Sequence, residues 1–219
     1  MKTYAITGAN RGIGLELARA LVARGDAVVA LCRSSSKELE ATKARVLDGV
    51  DVSSDANIAS VAERLSGTRV DVLVNNAGIL ERDTLDSFDH ASLLRQMEVN
   101  ALGPLRLTRA LLPLMQRAGK VVVITSRMGS IADNGSGAYY GYRMSKAAVN
   151  AAFVSLARDL APRGIAVGIF HPGMVATAMT GQSGIPAAES AKGLVARIDE
   201  LDEARSGRFF HQNGEALPW

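Results

Sequence analysis

The sequence predicts a single α/β domain: a doubly wound, mainly parallel sheet of seven strands with helices on both faces. Three observations carry that expectation. Seven short β-rich runs alternate with segments whose apolar residues recur at helical spacing. Such alternation calls for parallel strands joined by right-handed helical crossovers. The runs also lack strict in-and-out alternation, as expected of strands covered on both faces.

The strands are expected at residues 4–7, 27–32, 46–50, 70–75, 120–125, 165–170 and 208–211. After the first, Ile13, Leu17, Ala20, Leu21 and Val22 keep helical spacing up to Gly25, a C-terminal stop. Ile58, Val61, Ala62 and Leu65 repeat the pattern after Asp55. Leu102, Leu105, Leu107, Leu111 and Leu112 predict a further helix with Pro104 in its first turn, where a missing N–H does least harm. Residues 147–160 and most of 187–201 also read as helix, and the 219 residues suit one domain of this kind.

Composition narrows the function classes. Hydrophobic residues at 47% and charged residues at 21% argue against disorder. A net charge of only +3, with no Lys/Arg run, gives no footprint for nucleic acid. Cys32 is alone, which rules out an intramolecular disulfide and favours a cytoplasmic setting. It closes an apolar run and reads as buried rather than catalytic. The three histidines and one cysteine lack zinc-ligand spacing, so no metal is expected. No apolar run approaches the roughly 18 residues of a membrane span, and the amino terminus enters a strand at once, without a signal-peptide pattern.

Ligands on such sheets bind outside the carboxyl ends of the strands. After the first strand comes Gly8-Ala9-Asn10-Arg11-Gly12-Ile13-Gly14, opening the first helix. Glycines let the backbone approach a pyrophosphate, and the helix N-terminus offers free N–H donors. The spacing is not the commonest dinucleotide fingerprint, so its context matters. Tyr142 and Lys146 are four apart and share a helical face. A nearby ammonium is expected to lower the phenol from about 10 toward neutrality, ready to exchange a proton with a carbonyl or alcohol oxygen. Ser126, leaving the fifth strand, can hydrogen-bond the same oxygen. The second strand ends at Arg33 with no acid at its tip, and Arg11 lies on the glycine turn. A planar guanidinium suits a 2′-phosphate, so NADP(H) is favoured over NAD(H).

Thr7-Gly8-x-x-x-Gly12-x-Gly14, Asp51-Val52, Asn75-Asn76-Ala77-Gly78, Val99-Asn100, Ser126, Tyr142-x-x-x-Lys146 and Pro172-Gly173-x-x-x-Thr177 follow one another along the chain. In that order they resemble the motifs of the short-chain dehydrogenase/reductase family over almost the whole length. The tail, with Ser206-Gly207-Arg208-Phe209-Phe210, Gly214-Glu215 and Leu217-Pro218-Trp219, is similar to the short C-factor-like carbonyl reductases of that family, as are residues 126–131 and 135–137.

The resemblance implies a Rossmann-type coenzyme site made by Gly8, Asn10, Arg11, Gly12, Ile13, Gly14, Arg33, Asp51, Val52, Asn75, Ala77, Gly78, Tyr142, Lys146, Pro172, Gly173, Val175 and Thr177. Adenine would meet Asp51-Val52, and the nicotinamide carboxamide the Pro-Gly loop. It implies a catalytic set of Asn100, Ser126, Tyr142 and Lys146, in which Lys146 also holds the nicotinamide ribose and Asn100 supports a water-linked proton path to it. The family's serine commonly stands thirteen residues before the tyrosine, which here is Gly129. Alignment from the strand end selects Ser126, with Ser130 as the alternative. His171 reads as a neutral structural histidine.

The implied function is an NADP(H)-dependent oxidoreductase acting on a small carbonyl or alcohol. A signalling or dinucleotide-binding protein with little turnover is the alternative; a sugar-nucleotide epimerase would carry a larger C-terminal region. No nucleic-acid or membrane partner is expected. The helix at residues 147–160 could pack across a two-fold axis in a homodimer or homotetramer, or serve the subunit's own core. About thirty residues separate Thr177 from the last strand. The cleft is therefore expected to be open, with at most a short flap of Met179, Gly181, Gln182 and Gly184.

Overall fold

Seven parallel strands form one sheet in the order β3-β2-β1-β4-β5-β6-β7. They are β1 Thr3–Thr7, β2 Ala27–Leu31, β3 Arg45–Leu47, β4 Val72–Asn75, β5 Lys120–Ile124, β6 Ala166–His171 and β7 Phe209–His211. The computed structural model describes residues 1–87 and 89–219. The chain leaves β1 toward β2 and β3, then returns to the other side of β1 with β4. The carboxyl ends of β1 and β4 thus flank a topological switch point, where a ligand crevice opens.

Each strand divides its side chains between two cores. Ala5, Val29, Leu31, Leu73, Val121, Val123, Val167 and Ile169 face one; Tyr4, Ile6, Val28, Ala30, Val72, Val74, Val122, Ile124 and Phe170 face the other. Both sets are apolar, which is why no alternation shows in the sequence. Helices α1 (Gly12–Ala23) and α7 (Ala187–Glu200) cover the second face through Leu17, Leu21, Leu194 and Ile198. The first is covered by α3 (Asp55–Arg64), α5 (Gly103–Leu111) and α6 (Tyr140–Leu160). Leu107 and Leu111, one turn apart on α5, are both fully buried, each contributing roughly 2 kcal/mol of transfer free energy. On α6, Val149 and Phe153 are fully buried in the subunit's own core, and Val154 and Leu156 pack partly buried against it. A short α2 (Lys37–Glu40), capped by Ser36, follows β2.

Two elements differ from expectation. Strand β3 stops at Leu47 because Gly49 turns into the left-handed region (φ +70). Irregular pairing continues through Gly49 N–H to Arg33 C=O (3.1 Å) and Val50 N–H to Cys32 C=O (2.9 Å). Asp51 and Val52 therefore sit in a loop past the strand. Helix α4 (His90–Met97), capped by Asp89, was not foreseen from apolar spacing. Its buried positions are Ser92 and Gln96, both polar, so no hydrophobic period marks it. A π-helical turn, Glu98–Leu102, joins α4 to α5, whose first turn does hold Pro104. Proline has no N–H to return to the carbonyl four residues back, that of Asn100, and the widened turn accommodates the break. Among the described residues no helix is long and apolar enough to cross a membrane.

Candidate active site

The carboxyl ends of β1, β4, β5 and β6 bring the predicted residues to one edge of the sheet. At the first, Gly8 and Gly12 adopt φ +65 and +55, left-handed values that a side chain resists. Gly14 lies so close to the Gly8 carbonyl and the Asn76 amide that a Cβ would not fit. The turn is anchored from both sides. Thr7 Oγ1 accepts the N–H groups of Asn76 and Ala77, both at 2.9 Å, and Asn76 Nδ2 donates to the Thr7 carbonyl at 2.9 Å. Asn10 Nδ2 donates to the Ser34 carbonyl, and Ser36 Oγ donates back to the Asn10 carbonyl. The glycine turn is thus bolted to the strand tips on either side, and Ile13 stands in the first turn of helix α1, Gly12–Ala23. A Cβ on Gly12 would lie 3.3 Å from the Thr177 methyl, so the loop after β6 meets the turn across the crevice.

The polar groups toward the outer strands fit a phosphorylated, adenosine-bearing ligand. Arg11 and Arg33 are exposed, and among the described residues neither guanidinium has an ion-pair or hydrogen-bond partner. Ser35 Oγ, two residues past Arg33, is buried without a partner. Asp51 is held below the usual carboxylate range by the Ser53 hydroxyl and amide, with Arg33 adding to the effect. Asn75 turns its amide inward, donating to Thr108 Oγ1 (3.2 Å) and the Val122 carbonyl (3.3 Å); at the strand tip it presents main chain.

Tyr142 and Lys146 lie one helical turn apart near the start of α6, both buried. The Ser126 side chain stands beside the Tyr142 phenol. Ser126 Oγ also accepts the Met128 N–H at 3.1 Å. Ser130 Oγ instead accepts the Asp133 N–H and closes its own turn. The Lys146 ammonium donates to the Ile124 carbonyl at 3.0 Å and lies 5.7 Å from the Tyr142 ring centre. Asn100, on the π-helical turn, donates from Nδ2 to the Ile79 carbonyl (2.8 Å) and to Ser145 Oγ (3.0 Å), and accepts the Ile79 N–H at 2.8 Å. Ser145 Oγ in turn donates to the Tyr142 carbonyl. A Cβ on Gly78 would stand 3.2 Å from Asn100 Oδ1 and 3.6 Å from Lys146 Nζ, so any side chain there would wedge between them. Asn76, Thr7 and Ser145, to which the sequence assigned no role of their own although Thr7 and Asn76 stand in its motifs, hold these groups in register.

One electrostatic expectation is corrected. Burial pushes the Tyr142 phenol up to about 12, and the neighbouring Ser126 side chain offsets this only in part. Lys146 does not draw it toward neutrality. The same burial pushes Lys146 down to about 8. Desolvation opposes charge on both groups. His171 is neutral, pushed down to about 3 by burial and then by His211, Arg127 and Lys146. Cys32 is buried in the core, its thiol pushed up by burial.

The segment after β7 ties the loops of the site together. Arg127 pairs with Glu215 (3.3 Å) and Asp133 (3.2 Å), and the Ala132 N–H donates to the Trp219 carbonyl. The Gln212 N–H donates to the His171 carbonyl, beside Pro172 and Gly173. Past Val175 and Thr177 there is only a single 3-10 turn before α7, with Met174 62% and Met179 43% exposed.

Comparison with known proteins agrees with this fold. The family model described as short chain dehydrogenase matches residues 2–186. The chain is 40% identical, over the whole of both sequences, to the 1-hydroxy-2-glutathionyl-2-methyl-3-butene dehydrogenase of a Rhodococcus species. It is 46% identical to the C-signal of Myxococcus xanthus over 68% of this chain and 93% of that protein. Among solved structures, the NADPH-bound carbonyl reductase from chicken fatty liver superposes with a TM-score of 0.90 at 29% identity, covering 100% of this chain and 99% of that one.

Proposed function

Because the chain belongs to the short chain dehydrogenase family, we propose that it is an NADP(H)-dependent oxidoreductase acting on a small carbonyl or alcohol, with the coenzyme and substrate sites together in one domain. The observation that carries this reading is the buried Tyr142 phenol beside Ser126, with the Lys146 ammonium 5.7 Å from the ring centre.

The coenzyme site fits by its own chemistry. Gly8, Asn10, Arg11, Gly12, Ile13 and Gly14 would hold the pyrophosphate at the N-terminus of α1. Asp51 and Val52 would take the adenine, Ala77, Gly78 and the Asn75 main chain the inner ribose, and Pro172, Gly173, Val175 and Thr177 the nicotinamide end. Unpartnered Arg33 and Arg11 suit a 2′-phosphate, and the chicken carbonyl reductase binds NADPH. When bound, the nicotinamide supplies or accepts the hydride.

The protein's own groups manage the proton. At pH 7 the Tyr142 phenol is neutral and can give its proton to a carbonyl oxygen. Lys146, mostly charged at that pH, stabilises the phenolate left behind. Ser126 donates to the same oxygen as charge grows on it. Asn100 fixes the wall between Ile79 and Ser145, and its carboxamide oxygen beside Gly78 supports the relay that recharges Lys146. With only a 3-10 turn beyond Thr177, the cleft is open and its specificity broad. A cytoplasmic setting fits the lone, buried Cys32.

The similarity to C-signal favours a second reading, a signalling or binding protein that retains the dinucleotide site. Tyr142→Phe separates the two. An enzyme should lose about 10²–10⁴-fold in turnover while binding NADPH as before. Undiminished turnover would remove Tyr142 from the chemistry, and absence of turnover in the wild type with a panel of aldehydes, ketones and quinones would favour the second reading.

A further inference from the structure

A buried carboxylate lies beside the helix of Tyr142 and takes no part in the proton transfer. Asp83 is 4% exposed, and among the described residues no cation pairs with it. Its Oδ1 accepts the Tyr140 N–H at 2.5 Å and its Oδ2 the Gly141 N–H at 3.1 Å; its main-chain carbonyl accepts the Tyr139 N–H at 3.0 Å.

These are donors that an α-helix cannot satisfy from within itself. Ordinarily the residue before the helix caps them with a short polar side chain. Here that residue is Tyr139, which makes no side-chain cap and stands in the left-handed region at φ +54, ψ +40, preceded by Ala138 at φ +52. Both conformations are costly for residues with a Cβ. The local sequence therefore offers α6 no start of its own. The cap comes instead from the loop after β4, 57 residues earlier, as an anion set against the positive end of the helix dipole. Tyr142 is the third residue of that helix. It sits in the first turn, the part that frays when its donors are released.

We infer that Asp83 is a positioning residue: it fixes the first turn of α6 and so holds the Tyr142 phenol in place beside Ser126. The inference rests on the reading of Tyr142 as the acid/base group. Its test compares Asp83→Ala and Asp83→Asn, each alone and combined with Tyr142→Phe. Hydrogen exchange in the coenzyme-free chain is the first readout: the amides of Tyr140 and Gly141 should lose about tenfold or more of their protection in Asp83→Ala. Turnover should fall about ten- to a hundredfold, the scale of a misplaced reacting group. KM and the Kd for NADPH should stay within about threefold, since the glycine turn is untouched. Asp83→Asn keeps one acceptor and should recover part of both losses; it also serves if the alanine variant fails to fold.

On the Tyr142→Phe background, removing Asp83 should cost no further turnover, because both changes act through one hydroxyl. Full turnover with unprotected amides would overturn the inference, as would equal losses on both backgrounds or a coenzyme Kd that rises in step with the rate loss. Undiminished turnover in Tyr142→Phe alone would instead defeat the reading on which the inference rests.

Discussion

Lys146→Met should make the coenzyme-free protein more stable at neutral pH while abolishing turnover. The ammonium is 4% exposed, and burial holds it at about 8 against an ordinary 10.5. The folded-state value lies below the unfolded one, so between those two pH values the unfolded chain binds the extra proton. Stability consequently rises with pH through that window, and the cost of burying the charge is fully present below about 8. That cost is about 3 kcal/mol at pH 7. Methionine matches the length of the stem and carries no charge, but it leaves the Ile124 carbonyl without its donor, a loss of about 1 kcal/mol. The net expectation is a gain of about 2 kcal/mol at pH 7, moving the urea midpoint up by roughly 1 M for an m-value of about 2 kcal/mol/M. Near pH 10.5 the charge penalty has gone and only the lost hydrogen bond remains, so the difference should change sign. Tyr142 does not confuse the comparison, since it stays neutral in both folded proteins below about 12. Urea denaturation of both proteins at pH 7 and pH 10.5 is the assay. A variant less stable than wild type at pH 7, or a difference that ignores pH, would refute the reasoning.

Arg33→Asp should swing coenzyme preference from NADPH toward NADH by one or more orders of magnitude in kcat/KM, about the worth of a charge-assisted contact. The motive is the unpartnered guanidinium at the tip of β2, and equal use of both coenzymes by the wild type would count against it. Ala138→Gly should stabilise the protein by about 1 kcal/mol, because a half-buried alanine at φ +52 bears a left-handed penalty that glycine escapes. Thermal unfolding measures it, and a lower midpoint would show that this backbone is not strained.

How far the sequence could be read depends on which force shapes each part. Strands buried on both faces announce themselves, since most of their positions are apolar whichever core they face; hence the seven runs stand close to where the sequence places them. Chemistry at strand ends is legible for a related reason: a tight turn needs glycine, and a shared helical face needs a spacing of four, so Gly8, Gly12, Gly14, Tyr142 and Lys146 carry their geometry in their order. Helix α4 escaped because Ser92 and Gln96 bury a polar face.

The sign of the Tyr142 shift escaped for a different reason. Counting charges along the chain sees the ammonium and misses the desolvation, which exists only once β5, α6 and their neighbours enclose both groups. Asn75 shows the same limit, since its motif locates the strand tip but not the inward turn of its amide toward Thr108 and Val122. Asp83 shows it most sharply. Nothing local marks an aspartate 57 residues before a helix as that helix's cap; the pairing arises from the right-handed crossover that brings the loop after β4 against the start of α6. Motifs therefore identify the groups that would touch coenzyme and substrate. The residues that hold those groups still are chosen by the fold, and a sequence shows them only after the topology has placed them side by side.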